Sequence, residues 1–168
     1  LYLPHLLGHE GSGQVVAIGD GVSKVSQGDS VILGWIKGKG KDVCGAKYQL
    51  GKRVINSGPV TTFSTYSIVS ENRIVPIPPG VPKDIAVLFG CALPTGAGIV
   101  LNEIKPKKGS SILFIGLGGI GLSALMVCRV FECNPVIAID INQEKLQLAT
   151  KLGATHVINP LDQDPVQE

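Results

Sequence analysis

The segment Gly116-Leu117-Gly118-Gly119-Ile120-Gly121 constrains the fold of this chain more than any other stretch. A G-x-G-x-x-G frame is a weak signal by itself where 22 of 168 residues are glycine. Its surroundings make it specific. A continuous apolar run at residues 111–115 precedes it and reads as a strand covered on both faces. A buried helix is predicted over residues 119–131, carrying Leu122, Leu125, Met126 and Phe131. A second apolar strand at 136–139 ends in Asp140, 19 positions after Gly121. That is the setting a dinucleotide-binding turn requires. Gly116 permits the tight turn, Gly118 lets backbone amides approach a pyrophosphate, and Gly121 allows close strand–helix packing. Gly119 and Ile120 open the helix whose N-terminus stabilises the anion. Asp140 can accept hydrogen bonds from both ribose hydroxyls and would repel a 2′-phosphate, which favours NAD over NADP. The competing reading is a glycine turn in an unrelated α/β domain.

The pattern continues on both sides of this unit. Asn142 can cap a helix that runs to Leu152 and stops at Gly153, with a short strand expected at 155–158. Strand, helix, strand, helix, strand means a parallel sheet with right-handed crossovers. Upstream, helices are expected over 82–89 and 94–104. The first half reads differently. β-prone runs at 14–18, 30–33, 64–70 and 74–77 are separated by turn clusters such as Gly19-Asp20-Gly21 and Gln27-Gly28-Asp29, and Pro78-Pro79 ends the last. Residues 37–52 show no period and read as a glycine- and lysine-rich loop. The fold class is therefore α/β in two parts, a β-rich domain at 1–92 and a parallel-sheet nucleotide-binding domain at 93–168.

Composition excludes several classes. Hydrophobic residues make up 44% and charged residues 17%, so the chain has apolar surface enough to offset ordering entropy. The net charge is +2 and the longest basic run downstream of the loop is Lys107-Lys108, which gives no nucleic-acid surface. No apolar stretch reaches the ~18 residues of a membrane span. The four cysteines, Cys44, Cys91, Cys128 and Cys133, form no Cys-x-x-Cys and lack the density of a secreted disulfide scaffold. A reducing, cytoplasmic setting is expected. Cys128 and Cys133 fall on or just after a buried helix and read as core.

The second signal is Gly8-His9-Glu10-Gly11-Ser12-Gly13, followed by a Gly-Asp-Ser-Val turn at residues 28–31. Thr62-Phe63-Ser64 with Tyr66, Gly90-Cys91 with Thr95-Gly96, the glycine turn, Asp140-Ile141-Asn142, and Gly153-Ala154-Thr155 with Asn159-Pro160 follow in order. In this order and spacing the chain resembles a zinc-dependent alcohol dehydrogenase of the medium-chain dehydrogenase/reductase superfamily. The resemblance runs essentially end to end. It implies a GroES-like catalytic domain, in part, followed by the first half of a Rossmann-type domain. It also implies that His9 and Cys91 are two of three protein ligands of one catalytic zinc, with Glu10 tuning the metal from close range. Thr95 and Ile120 would lie against the nicotinamide, and Lys145 would hold the adenosine ribose beside Asp140. A neutral imidazole and a thiolate suit zinc, which leaves an open position for a substrate oxygen.

The sequence departs from that family in three places. The first zinc-ligand cysteine of the family lies upstream of the Gly-His-Glu segment, and this chain begins eight residues before His9. The loop that holds four cysteines and a structural zinc in many members carries only Cys44 here, so no such site is expected and the loop should be mobile. The nucleotide-binding half contains about half the usual strands. The expectation is the middle of a longer enzyme, a homo-oligomer as the complete protein, that interconverts small alcohols with aldehydes or ketones using NAD and zinc; the fragment alone would be inactive. Two alternatives remain, a zinc-free NAD(P)H reductase of the same superfamily and an inactive binding module.

Overall fold

The computed structural model describes residues 3–167, which separate into two compact units, one ending at Cys91 and the other beginning at Ala92.

The first unit carries two three-stranded sheets. In one, β1 (His5–Leu6) runs parallel to β5 (Arg53–Ser57), which pairs antiparallel with β4 (Tyr48–Leu50) across a tight turn at Gly51. In the other, β3 (Ser30–Leu33) lies between β2 (Gly11–Gln14) and β6 (Ile74–Pro76), antiparallel to both, with Gly11 opposite Leu33 and Leu33 opposite Ile74. Val31 and Ile32 of this central strand are buried with Val25, Val60 and Ala86. A short helix α1 (Lys83–Ala86) continues as a 3-10 turn over Val87–Gly90, where a single helix was expected over 82–89.

Two expected strands are corrected. The run at 14–18 keeps its pairing only to Val15, whose N–H donates to the Asp29 carbonyl. Gly28 then turns at φ +95°, leaving Val16 and Ile18 exposed without a ladder partner among the described residues. The run at 64–70 forms no strand. Ser64 Oγ donates to the Tyr66 carbonyl at 2.7 Å, a local side-chain bond that competes with extended pairing.

The loop expected to be mobile is tied to the rest of the unit at Gly38 and Lys41. Glu71, 5% exposed, opens a 3-10 turn over Glu71–Arg73 and reaches across three segments. Its Oε1 accepts from Ser23 N at 2.6 Å and Lys24 N at 2.7 Å, and its Oε2 from Lys41 N at 2.8 Å. Gly38 N and Asn72 N add main-chain bonds between the same segments. The Lys41 amide first, then those of Ser23 and Lys24, hold the Glu71 carboxyl at a pKa of about 2, well below the ordinary 4.5. A carboxyl whose folded pKa lies below its unfolded value contributes stability that is complete above pH 4.5 and is lost as pH falls toward 2. The urea midpoint of the wild type should therefore exceed that of Glu71→Gln by a constant margin from pH 7 to 5, and the margin should narrow toward pH 2. A margin independent of pH would show that the charge is not the fastener.

The second unit opens with α2 (Ala92–Gly98), extended by a π-helix over Ile99–Ile104 in which Lys105 N bonds the Val100 carbonyl. It then runs β7 (Ile112–Ile115), α3 (Gly119–Cys128), a 3-10 turn over Arg129–Phe131, β8 (Val136–Ile139), α4 (Gln143–Leu152) and β9 (His156–Ile158). The three strands are parallel in the order β7-β8-β9, with Ile112 opposite Val136 and Ile139 opposite Ile158. Asn142 caps α4 by accepting from Glu144 N and Lys145 N, and Gly153 ends it at φ +120°. The core joins Val100, Leu117, Leu125, Cys128, Ala138, Leu146 and Ala149. Burial pushes the Cys128 thiol up to a pKa of about 12, with Cys133 beside it adding to the shift, as suits a packing cysteine.

Here too the sequence overreached. Strand β7 is not covered on both faces: Ile112 and Phe114 pack on the core while Leu113 and Ile115 are exposed. Two successive right-handed crossovers in one direction put α3 and α4 on the same face of the sheet. Met126, expected inside, is also exposed; the buried stripe of α3 is Ser123, Ala124, Leu125 and Cys128.

Candidate functional site

The nucleotide-type site lies in the second unit. Gly116, at φ +88°, turns the chain out of β7, and its N–H donates to the Ile139 carbonyl at 2.8 Å. A Cβ at Gly121 would strike the Gly116 carbonyl oxygen, so the helix can follow the strand this closely only with glycine there. Added Cβ atoms at Gly116 and Gly118 would meet nothing within 4 Å. The outer side of the loop is thus open, as a bound phosphate needs, and Gly118 is the extended residue before α3. Gly119 and Ile120 form the first turn, with the Ile120 side chain half exposed.

Asp140 ties the parts of this site together. Its Oδ2 accepts from Leu117 N at 2.6 Å and its Oδ1 from Asn142 N at 2.8 Å. One carboxylate thereby fixes the glycine turn and the start of α4. These amides, Leu117 first and Asn142 next, hold its carboxyl below the usual range, so it carries a full negative charge at neutral pH. A carboxylate offers about four lone-pair positions, and those the amides leave are open to ligand hydroxyls. Lys145 Nζ lies 3.9 Å from Oδ2. Thr95 is half-buried in α2, whose next residue, Gly96, packs so tightly on Ser123 Oγ and the Ile120 carbonyl that a Cβ has no room. Ser123, buried and not anticipated from the sequence, donates from Oγ to the Ile120 carbonyl at 2.9 Å, with the Ala92 carbonyl at 3.3 Å.

His9, Glu10 and Cys91 lie in the first unit. Gly8, at φ +89°, and Gly11 flank the His9-Glu10 pair, and Thr62 packs against both. A Cβ on Gly8 would sit 2.5 Å from Thr62 Oγ1, and one on Gly11 would sit 2.7 Å from Thr62 Cγ2. Thr62 N also donates to the carbonyls of Leu7 and Gly8. The segment bearing Cys91 arrives alongside: a Cβ on Gly90 would lie 2.7 Å from the Leu33 oxygen and 3.3 Å from Glu10 Cα. Gly90 is also held by its carbonyl, which accepts from Trp35 N at 3.3 Å. The two segments therefore abut, with the imidazole exposed and the thiol half-buried.

An imidazole nitrogen and a thiolate fit a borderline-soft divalent ion such as zinc. They are two donors; no group of three or more His, Cys, Asp or Glu side chains that could hold a metal occurs among the described residues. The open cavity of about 410 Å³ under β2 is lined by Gly11, Thr62 and Tyr66 but not by His9 or Cys91. Thr62 and Trp35 were missed as parts of this site. Glycines on both sides of a candidate ligand were the available signal for a close neighbour.

Comparison with known proteins places both units. Residues 1–79 match the alcohol dehydrogenase GroES-like domain and residues 119–168 the zinc-binding dehydrogenase family. An alcohol dehydrogenase zinc-binding domain protein from Burkholderia ambifaria is 30% identical, with a TM-score of 0.84, over 99% of this chain and 52% of its own. Benzyl alcohol dehydrogenase from Acinetobacter calcoaceticus is 36% identical, with a TM-score of 0.81, over 99% of this chain and 51% of its own. The alcohol dehydrogenase of the archaeon Aeropyrum pernix is 27% identical, with a TM-score of 0.76, over 99% and 50%. The chain thus spans about half the length of the solved structures it matches. Among the described residues no single helix is long and apolar enough to cross a membrane.

Proposed function

Because the chain belongs to the zinc-type alcohol dehydrogenase family of the medium-chain dehydrogenases, we propose that its protein transfers hydride between NAD and a primary or secondary alcohol at one catalytic zinc. The observation that carries this reading is the abutment of two donor-bearing segments, His9-Glu10 and Gly90-Cys91, at a glycine that leaves 3.3 Å between a Cβ and Glu10 Cα. When bound, zinc would supply a Lewis acid that polarises the alcohol oxygen.

The chain's own residues do the rest. His9, as neutral imidazole, and Cys91, as thiolate, hold the ion, and Glu10 places a carboxylate in its neighbourhood. The amides at the start of α3, at Gly119 and Ile120, bind the pyrophosphate, aided by the helix dipole. Asp140 accepts from the ribose hydroxyls, with Lys145 beside it. Thr95 and the exposed Ile120 side chain bear on the nicotinamide ring and orient it. A four-cysteine structural zinc is not part of this proposal, since Cys44 is the sole cysteine of its loop.

The test is metal analysis of the purified protein, paired with an assay of NAD reduction on a panel of alcohols that includes benzyl alcohol. About one zinc per chain is expected, with turnover lost on treatment with a chelator and restored by zinc. Full turnover without metal would favour the zinc-free reductase. NAD binding without turnover, in protein loaded with zinc, would favour the binding module.

A further inference from the structure

Trp35 is the single tryptophan of the 168 residues, and 48% of it is exposed. Its indole meets the His9 ring edge-on, with centroids 6.0 Å apart and planes at 74°. Gly58 closes on the benzo edge, where an added Cβ would lie 3.7 Å from Cζ3. Over the ring sits the Arg73 guanidinium, its Cζ 5.5 Å from the centroid, and Arg73 Nη1 donates to the Trp35 carbonyl.

Arg73 is only 9% exposed, and its Nε has no hydrogen-bond partner. Among the described residues no carboxylate forms an ion pair with it. Asp42 feels it only weakly: the Lys37 hydrogen bond is the first cause holding that carboxyl low, and Arg73 the last. Burying a cation without a counter-charge is costly, and an apolar side chain of similar length would fill the space without that cost. Both attachments that the guanidinium makes go to one residue, Trp35, through its carbonyl and through its ring. A cation over an indole is the strongest of the cation–π pairings, more so when desolvated.

We propose that Arg73 is a positioning residue that locks the Trp35 indole against His9 and so fixes the width of the alcohol site, touching neither substrate nor cofactor. The claim about the alcohol site rests on the reading of His9 as a zinc ligand; the clamp itself does not. Without Arg73 the indole keeps its Gly58 and His9 edges but loses its backing, and a second ring orientation becomes accessible.

The experiment is fluorine NMR of protein labelled with 5-fluorotryptophan, the Trp35 signal being the one lost in Trp35→Phe. The wild type should give one narrow Trp35 resonance. Arg73→Met should shift and broaden or split it, raise KM for the best alcohol about three- to tenfold, and leave kcat and zinc content within about twofold. Arg73→Lys keeps the charge and the fold but cannot stack and reach the carbonyl together, so its resonance should fall between the two; it also serves if Arg73→Met fails to fold. An unchanged Trp35 resonance in a folded Arg73→Met would overturn the clamp. A parallel loss of kcat and zinc with no change in the resonance would do the same, because that is what general damage looks like. A wild type that oxidises no alcohol would remove the claim about the alcohol site, and the fluorine spectra would still decide the clamp.

Discussion

Cys91→Ala should lower kcat/KM for alcohol oxidation by at least about a thousandfold while changing NAD affinity by no more than about twofold. A Lewis acid contributes several kcal/mol of charge stabilisation, and ~4 kcal/mol is three powers of ten in rate. The substitution removes one of the two proposed donors, which sit on abutting segments of the first unit. It leaves the glycine turn, Asp140 and α4 untouched, since these lie in the second unit. Cys91→Ala removes only one sulfur atom from a half-buried side chain, so gross unfolding is not the expected outcome. Zinc content read beside the kinetics closes the argument: loss of turnover with loss of metal supports the ligand role, and full activity in this variant would refute it.

Asp140→Ala should weaken NAD by about ten- to a hundredfold, with a smaller loss for NADP. Hydrogen bonds to a charged group are worth about 1.5–3 kcal/mol, and each ~1.4 kcal/mol is tenfold in affinity. For NADP the lost hydrogen bonds are partly offset by relief of the repulsion between carboxylate and 2′-phosphate. The same change strands the Leu117 N–H, a buried donor that now bonds Oδ2. Asp140→Asn is the necessary companion, because it keeps an acceptor for that amide and removes the charge. If Asp140→Asn shifts the NAD/NADP preference without loosening the fold, recognition of the ribose and support of the loop are separable. Titration calorimetry with both nucleotides reads the result, and an unchanged preference in both variants would sink the assignment.

How much of this was legible beforehand differs between the two units. In the second, local rules agree with one another: apolar strands, a glycine turn, an Asn cap at 142 and a Gly stop at 153 each point to the same parallel unit. Sequence could not reveal that Leu113 and Ile115 would be exposed, because an all-apolar strand reads alike whether one face or both are covered. In the first unit the signals are short and their partners distant. The run at 64–70 has strand-forming residues, but a serine–backbone bond at Ser64 sets its course, and that geometry leaves no period. The loop at 37–52 reads as mobile because it holds a single cysteine and no pattern; Glu71, which accepts from Lys41 N, lies thirty residues beyond it. His9, Glu10 and Cys91 were put forward through resemblance to a family. Trp35 and Arg73 were not, since an aromatic and an arginine 38 residues apart announce nothing until the chain is folded.

Thr62 between Gly8 and Gly11 has a consequence for which sequences can replace this one. Its side chain occupies the space of two side chains that are not there, so the three positions form a single unit of inheritance. They are not equivalent within it. Gly8 sits at φ +89°, and no reduction of Thr62 would make alanine comfortable there. Gly11 is blocked chiefly by Thr62 Cγ2, with Cβ next at 3.2 Å, so Gly11→Ala becomes tolerable once Thr62→Ser has removed the methyl. A lineage could cross from one state to the other only in that order, serine first. The reverse route passes through an intermediate in which alanine and the threonine methyl compete for the same volume beside the His9 turn.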